Sequence, residues 1–165
     1  MKNSIKLFLI INVIFIVSSC KEQTLALGEL APDLAIKNAQ GQRVKLSDYK
    51  DQPILLEFWS QTCGACIAAV PILNKLHQQN KERLVIISIA TDMTETQLNI
   101  YKEEKKIEYL LTADQLNISQ ERYKVMGYPT IFYLNKNHIL ERVQQGLSSD
   151  PNWQVNITKW ITKQN

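Results

Sequence analysis

Hydrophobic and polar positions change their period several times along this chain of 165 residues. Leu7 to Val17 is apolar except for Asn12. Leu34 to Lys37 and Arg43 to Leu46 alternate weakly about Gln40-Gly41, which predicts a hairpin. Ser47 to Lys50 reads as a turn into a run of continuous apolar character, 53–59, of strand length. Residues 64–80 then carry a helical pattern, with Pro71 inside it as a predicted kink. Leu84 to Ala90 is apolar and β-branched and is expected to be the most buried strand. Thr94 to Lys106 reads as a helix with Leu98 and Tyr101 on its inner side, and the charge run 102–106 as its solvated face. A short strand at 108–111 and a short helix at 118–124 follow.

Strands at 130–134 and 139–143 are joined through Asn135-Lys136-Asn137-His138, with Asn137 the candidate for a left-handed turn position. Asp150 as N-cap and Pro151 as first helical residue predict a last helix, with Trp153, Ile157, Trp160 and Ile161 on one apolar face. No repeat or low-complexity segment interrupts the series. The order of elements predicts an α/β fold, a central mixed sheet flanked by helices on both faces.

Composition changes this picture little. The chain has length for one domain with a sizeable core, and 45% hydrophobic and 21% charged residues are ordinary for a globular protein. The net charge is +3, falling to +1 once Lys2 and Lys6 are set aside. No basic patch argues for a nucleic-acid partner. Lys2 and Lys6 ahead of the short apolar run form a signal-peptide pattern, too short for a spanning helix. Residues 1–19 are therefore expected to be a leader, 20–27 a tether and 28–165 the domain. An uncleaved N-terminal anchor is the other reading, and both place the domain outside the cytoplasm.

The chemistry lies in Cys63-Gly64-Ala65-Cys66, between a predicted strand and a predicted helix. A Cys-x-x-Cys pair in that setting is the sequence form of a thiol–disulfide redox centre. With Cys63 at the helix N-terminus and Cys66 one turn in, the sulfurs can come close enough to bond. The free N–H groups of the first turn favour a thiolate at Cys63. Zinc would need two further ligands, and the chain offers only His77, His138, Cys20 and carboxylates, without a second ligand pair. A c-type haem would need His where Ile67 stands. His77 and His138 read as surface residues. Glu57 sits among apolar neighbours of both parities, which predicts a strand buried on both faces and a carboxyl of raised pKa.

These residues resemble the active site of the thioredoxin-like proteins. Phe58-Trp59 resembles the Phe-Trp before the family's redox motif, and Pro71 falls where the family has a helix proline. Glu57 falls where thioredoxins bury an acid, and Val125-Met126-Gly127-Tyr128-Pro129-Thr130 resembles the segment whose proline is cis. Gly28 to Leu34, Gly41 to Asp48 and the insertion between Ala90 and Tyr123 are similar to the tethered TlpA/ResA-type oxidoreductases. Val17-Ser18-Ser19-Cys20 resembles a bacterial lipobox. Thr62 and Ala65 depart from the family, where Trp and Pro are common.

The resemblance implies a thioredoxin-like domain with an N-terminal β-hairpin and an inserted αβ element. It implies a thiol–disulfide oxidoreductase with Cys63 as attacking thiol, Cys66 as resolving thiol and Glu57 as base. Trp59, Thr62, Tyr128 and Pro129 are then expected at the substrate. No cofactor beyond the Cys63–Cys66 disulfide and no metal are expected. The implied partners are protein thiols and disulfides, cytochrome c apoproteins among them, and a membrane electron donor. Cys20 is the implied lipid attachment, which would hold a monomer to a bacterial membrane, facing the periplasm or exterior. Two other readings are a peroxiredoxin-like peroxide reductase and a copper- or thiol-binding chaperone. The first needs proline where Leu56 stands. The second uses soft thiolates for Cu(I), for which copper carriers of this fold have wider cysteine spacing and a distal His.

Overall fold

The computed structural model describes residues 25–164. The expected leader, Cys20 and the tether up to residue 24 lie outside the described residues. The strands are β1 (Ile36–Asn38), β2 (Arg43–Val44), β3 (Ile54–Trp59), β4 (Val85–Ala90), β5 (Leu110–Ala113), β6 (Thr130–Leu134) and β7 (Leu140–Gln145). The α-helices are α1 (Gly64–Gln79), α2 (Glu95–Lys105), α3 (Ile118–Arg122) and α4 (Trp153–Thr162). The stretch expected as a turn at 47–50 is a 3-10 helix, Leu46–Tyr49.

The strands form one mixed sheet in the order β2-β1-β5-β4-β3-β6-β7. The pairs β3–β4 and β4–β5 are parallel, and all other neighbours are antiparallel. Parallel neighbours need a crossover, and α1 and α2 supply the two. Strand alternation divides the core. Leu55, Trp59, Ile86, Ala90, Leu111, Ala113, Ile131 and Tyr133 face one cluster with Cys66, Ala69 and Leu73 of α1, Leu98 and Tyr101 of α2, and Trp153, Ile157 and Ile161 of α4. Ile54, Leu56, Phe58, Ile87, Ile89, Phe132 and Leu134 face the other, with Ala31, Leu34, Leu46, Tyr123 and Val125. Three longer helices thus cover one face. The N-terminal segment, the 3-10 helix and the end of α3 cover the other.

Several expectations shift. β4 is not the most buried strand, since Val85 at its start is half-buried while every residue of β3 and β6 is buried. β5 begins two residues later than expected, after Tyr109. The left-handed residue between β6 and β7 is His138 (φ 57°), not Asn137, because Asn135 Oδ1 accepts the N–H groups of Asn137 and Ile139 and folds the turn one residue further on. Asp150 and Pro151 precede α4. The Asp150 carboxylate accepts the N–H of Asn152 and closes a separate turn, so the helix starts at Trp153. The apolar face of α4 is as expected, with Trp153, Ile157 and Ile161 buried. His77 and His138 are half-buried rather than on the surface. His138 Nε2 lies 3.1 Å from the Tyr49 carbonyl, and partial burial, followed by the nearby Lys81, lowers the pKa of His77.

Phe58, Tyr123 and Phe132 form an aromatic triangle with centroids 5.1–5.7 Å apart on the second face. Removing the Phe132 ring opens a cavity there, so Phe132→Ala should cost about 3–5 kcal/mol in urea unfolding. A cost below about 1 kcal/mol would show that this face closes without it.

Candidate active site

The site stands at the C-terminal ends of the parallel strands β3 and β4. β3 ends at Trp59, and Ser60 to Thr62 turn the chain into α1. Cys63 is the N-cap of α1, with extended backbone, and Cys66 lies one turn inside. The two are joined by a disulfide, with their Cα atoms 5.2 Å apart. The Cys66 N–H donates to Cys63 Sγ at 3.1 Å, so the sulfur does what a capping oxygen does at other helices. Cys63 is half-buried at the surface, whereas Cys66 is only 2% exposed. A thiolate at Cys63 would meet both the partner and the positive end of the helix. Pro71 is inside α1, without an N–H to offer the carbonyl of Ile67.

The turn before Cys63 is pinned from the loop just after β4. The Asp92 carboxylate accepts the Ser60 hydroxyl at 2.7 Å and the Gln61 N–H at 3.1 Å. Ser60 Oγ also lies 2.9 Å from Thr62 Oγ1. Thr62 is exposed beside Cys63, as a substrate contact requires. Trp59 does not fit the role expected of it. It is 3% exposed and packs on Tyr101 with ring centroids 5.1 Å apart, so it supports the turn from below and offers no contact surface.

The Tyr128–Pro129 peptide bond is cis. Tyr128 is half-buried and packs against both core clusters, Cys63 being among the residues at the edge of the first. Its hydroxyl donates to Gln120 Oε1 at 2.9 Å and lies 2.8 Å from Thr91 Oγ1. Thr91 in turn lies within 3.2 Å of the Trp59 carbonyl, so the proline loop and the redox turn are braced through one residue.

Glu57 is 2% exposed in the middle of β3. By alternation it shares the α1 side of the sheet with Leu55 and Trp59, which pack in one cluster with Cys66. Ser88, its register partner on β4, donates to Glu57 Oε2 at 2.6 Å. Burial pushes the carboxyl up from 4.5 to about 7, against the smaller downward pull of Ser88. Among the described residues, no cluster of three or more His, Cys, Asp or Glu side chains is placed to hold a metal ion.

The AhpC/TSA family pattern matches residues 27–143. The chain belongs to the AhpC/TSA family. It is 29% identical over 153 residues to the thiol-disulfide oxidoreductase ResA of Oceanobacillus iheyensis, covering 88% of this chain and 80% of that protein. It is 26% identical over 131 residues to the thioredoxin-like protein YneN of Bacillus subtilis, with 78% and 76% covered. A thiol:disulfide interchange protein from a Bacteroides species shares its fold with a TM-score of 0.73 and 25% identity, over 84% of this chain and 91% of that one. Within the AhpC/TSA family this chain has the thioredoxin-like fold and is a thiol–disulfide oxidoreductase.

Sequence reasoning missed Asp92, Thr91 and Ser88 in this AhpC/TSA site. Ser88 had a readable signal, being the lone polar residue of an apolar strand beside another strand with a lone acid. Asp92 and Thr91 had none, since only the β3–β4 pairing brings them to the redox turn.

Glu57 makes stability depend on pH. It binds its proton more tightly folded than unfolded, so its favourable share is complete below pH 4.5 and is lost as pH rises through about 7. At about 1.4 kcal/mol per pH unit the loss is on the order of 3 kcal/mol. Glu57→Gln should therefore gain on the native protein between pH 4.5 and 8 in urea unfolding. A difference that stays constant across that range would mean that Glu57 is not buried as an acid.

Proposed function

We propose that this protein reduces disulfides in other proteins outside the cytoplasm, held to a bacterial membrane through a lipid on Cys20. The observation that carries the reading is the arrangement around Cys63: an outer sulfur at a helix N-terminus, an inner one bonded to it, and a buried acid on the same side of the sheet. In the reduced protein the Cys63 thiolate attacks a partner disulfide, forming a mixed disulfide and releasing one partner thiolate. Cys66 loses its proton to Glu57 and attacks Cys63 Sγ. The Cys63–Cys66 disulfide forms and the second partner sulfur leaves as a thiolate, which takes a proton from water. The partner has gained two electrons, and a dithiol donor at the membrane returns the protein to its reduced state.

Glu57 suits its step. A thiol as buried as Cys66 ionises reluctantly, and a base whose pKa lies near the working pH takes the proton best. Thr62 and the backbone beside Tyr128 and Pro129 receive the partner chain. The electrons are carried by the cysteine pair itself, with no further cofactor. The domain acts as a monomer, and cytochrome c apoproteins are one substrate class. The direction, the donor and this class rest on the resemblance of the sequence motifs to the TlpA/ResA type. No helix among the described residues is long and apolar enough to cross a membrane, and the anchor is assigned to Cys20 on its lipobox.

Peroxide reduction draws support from the family pattern. Against it stand Leu56 at the proline position of the peroxidatic motif and the pairing of Cys63 with Cys66 across only two intervening residues. Insulin reduction against peroxide consumption, both driven by dithiothreitol, separates the two.

Cys63→Ser should abolish insulin reduction, and Cys66→Ser should accumulate mixed disulfides with the native partner. Glu57→Gln should slow turnover at pH 7 by roughly 10²-fold, the lower end for loss of a general base, while sparing the first attack. Wild-type turnover in Glu57→Gln would assign the base to water or another group. Labelled palmitate should enter the full chain and be blocked by Cys20→Ala. Incorporation that survives this substitution would refute the anchor.

A further inference from the structure

We propose that Ser88 is a positioning residue for the redox reaction: its hydroxyl holds the Glu57 carboxylate and sets how readily that carboxylate takes the Cys66 proton. The inference rests on the reading of Glu57 as the base. Ser88 and Glu57 are Cα partners in the parallel β3–β4 register, so their side chains leave the sheet side by side toward α1. They are 1% and 2% exposed, and the 2.6 Å bond between them is the one side-chain hydrogen bond to this carboxylate among the described residues. β4 reads Val-Ile-Ile-Ser-Ile-Ala. A serine there packs less well than a β-branched residue and buries a hydroxyl, which is costly unless the hydroxyl is used.

The chemistry of the partner decides what the acid can do. A lysine at position 88 would hold Glu57 as a fixed carboxylate with little affinity for a proton. An apolar residue would leave it a neutral acid at neutral pH, unable to accept one. A hydroxyl supports the charged form without neutralising it, and so leaves Glu57 able to gain and lose a proton.

The surroundings add no competing cation. No lysine or arginine is among the buried residues described. Tyr109, just before β5, is a buried phenol whose pKa is lifted well above the ordinary value, first by burial and then by the nearby Glu57 carboxylate. It stays neutral through the working range. Ile131 faces Glu57 from β6, and Cys66 of α1 shares the cluster with Tyr101, Tyr133, Trp153 and Ile157.

The test titrates the Glu57 carboxyl by carbon NMR in protein labelled with [13C]glutamate, assigned with Glu57→Gln, in the oxidised state. Ser88→Ala removes one oxygen and should fold. Its Glu57 should titrate higher than in the native protein by about one to two pH units, the range for loss of a hydrogen bond to a charged group. Ser88→Thr, which restores the hydroxyl, should return it toward the native value. Insulin reduction by Ser88→Ala should drop about tenfold at pH 7 and recover at pH 9. A Glu57 titration in Ser88→Ala that overlays the native curve would overturn the proposal. If Glu57→Gln turns over normally while the titration still shifts, the reading of Glu57 as base fails and the hold of Ser88 on the carboxylate stands.

Discussion

The burial of β3 on both faces is the constraint from which the rest of this molecule follows. Every residue from Ile54 to Trp59 is buried, and the strand pairs in parallel with β4 and antiparallel with β6. A strand so enclosed cannot slip in register without turning each side chain to the wrong core. Its end therefore delivers Ser60 to Cys63 to one place, and α1 must start there. The same enclosure is why Glu57 behaves as it does. Any carboxyl at that position loses its water, and among the described residues the Ser88 hydroxyl is the side-chain group that answers it.

The redox centre is thus built in two layers. The outer layer is Cys63, Thr62 and the cis Tyr128–Pro129 loop, with Thr62 exposed and Cys63 and Tyr128 half-buried. The inner layer is Cys66, Glu57 and Ser88, where water has little access. Asp92 and Thr91, just past the end of β4, tie the layers together through Ser60, Trp59 and Tyr128. A nucleophile benefits from exposure and a helix terminus, and a resolving thiol with its base benefits from shelter. In the proposed cycle the strand–turn–helix junction would meet both needs within the ten residues from Glu57 to Cys66.

Much of this was legible in the chain. The continuous apolar run at 53–59 marked the central strand, and the acid inside it marked a buried carboxyl. The strand–Cys-x-x-Cys–helix order marked the redox centre and which cysteine lies outside. The cis bond at Pro129 was legible only through resemblance to a family, because the dipeptide alone favours trans. What failed was local. Asn135 and Asp150 use their side chains on nearby N–H groups, and this moved the β6–β7 turn to His138 and the start of α4 to Trp153. Such competition between side chain and backbone is decided by geometry that a pattern of apolar positions does not hold. Trp59 was misjudged because its burial depends on Tyr101, contributed by α2, over 40 residues away.

The central claim is that a buried carboxylate takes the proton of the inner thiol. The most direct measurement follows resolution alone. A Cys63 mixed disulfide with a small aromatic thiol is prepared on reduced protein, and release of that thiol is followed by stopped flow from pH 5 to 9. The account predicts that release accelerates through an inflection near 7, where Glu57 titrates, and that Glu57→Gln removes that inflection. Profiles that superimpose for the native protein and Glu57→Gln would contradict it.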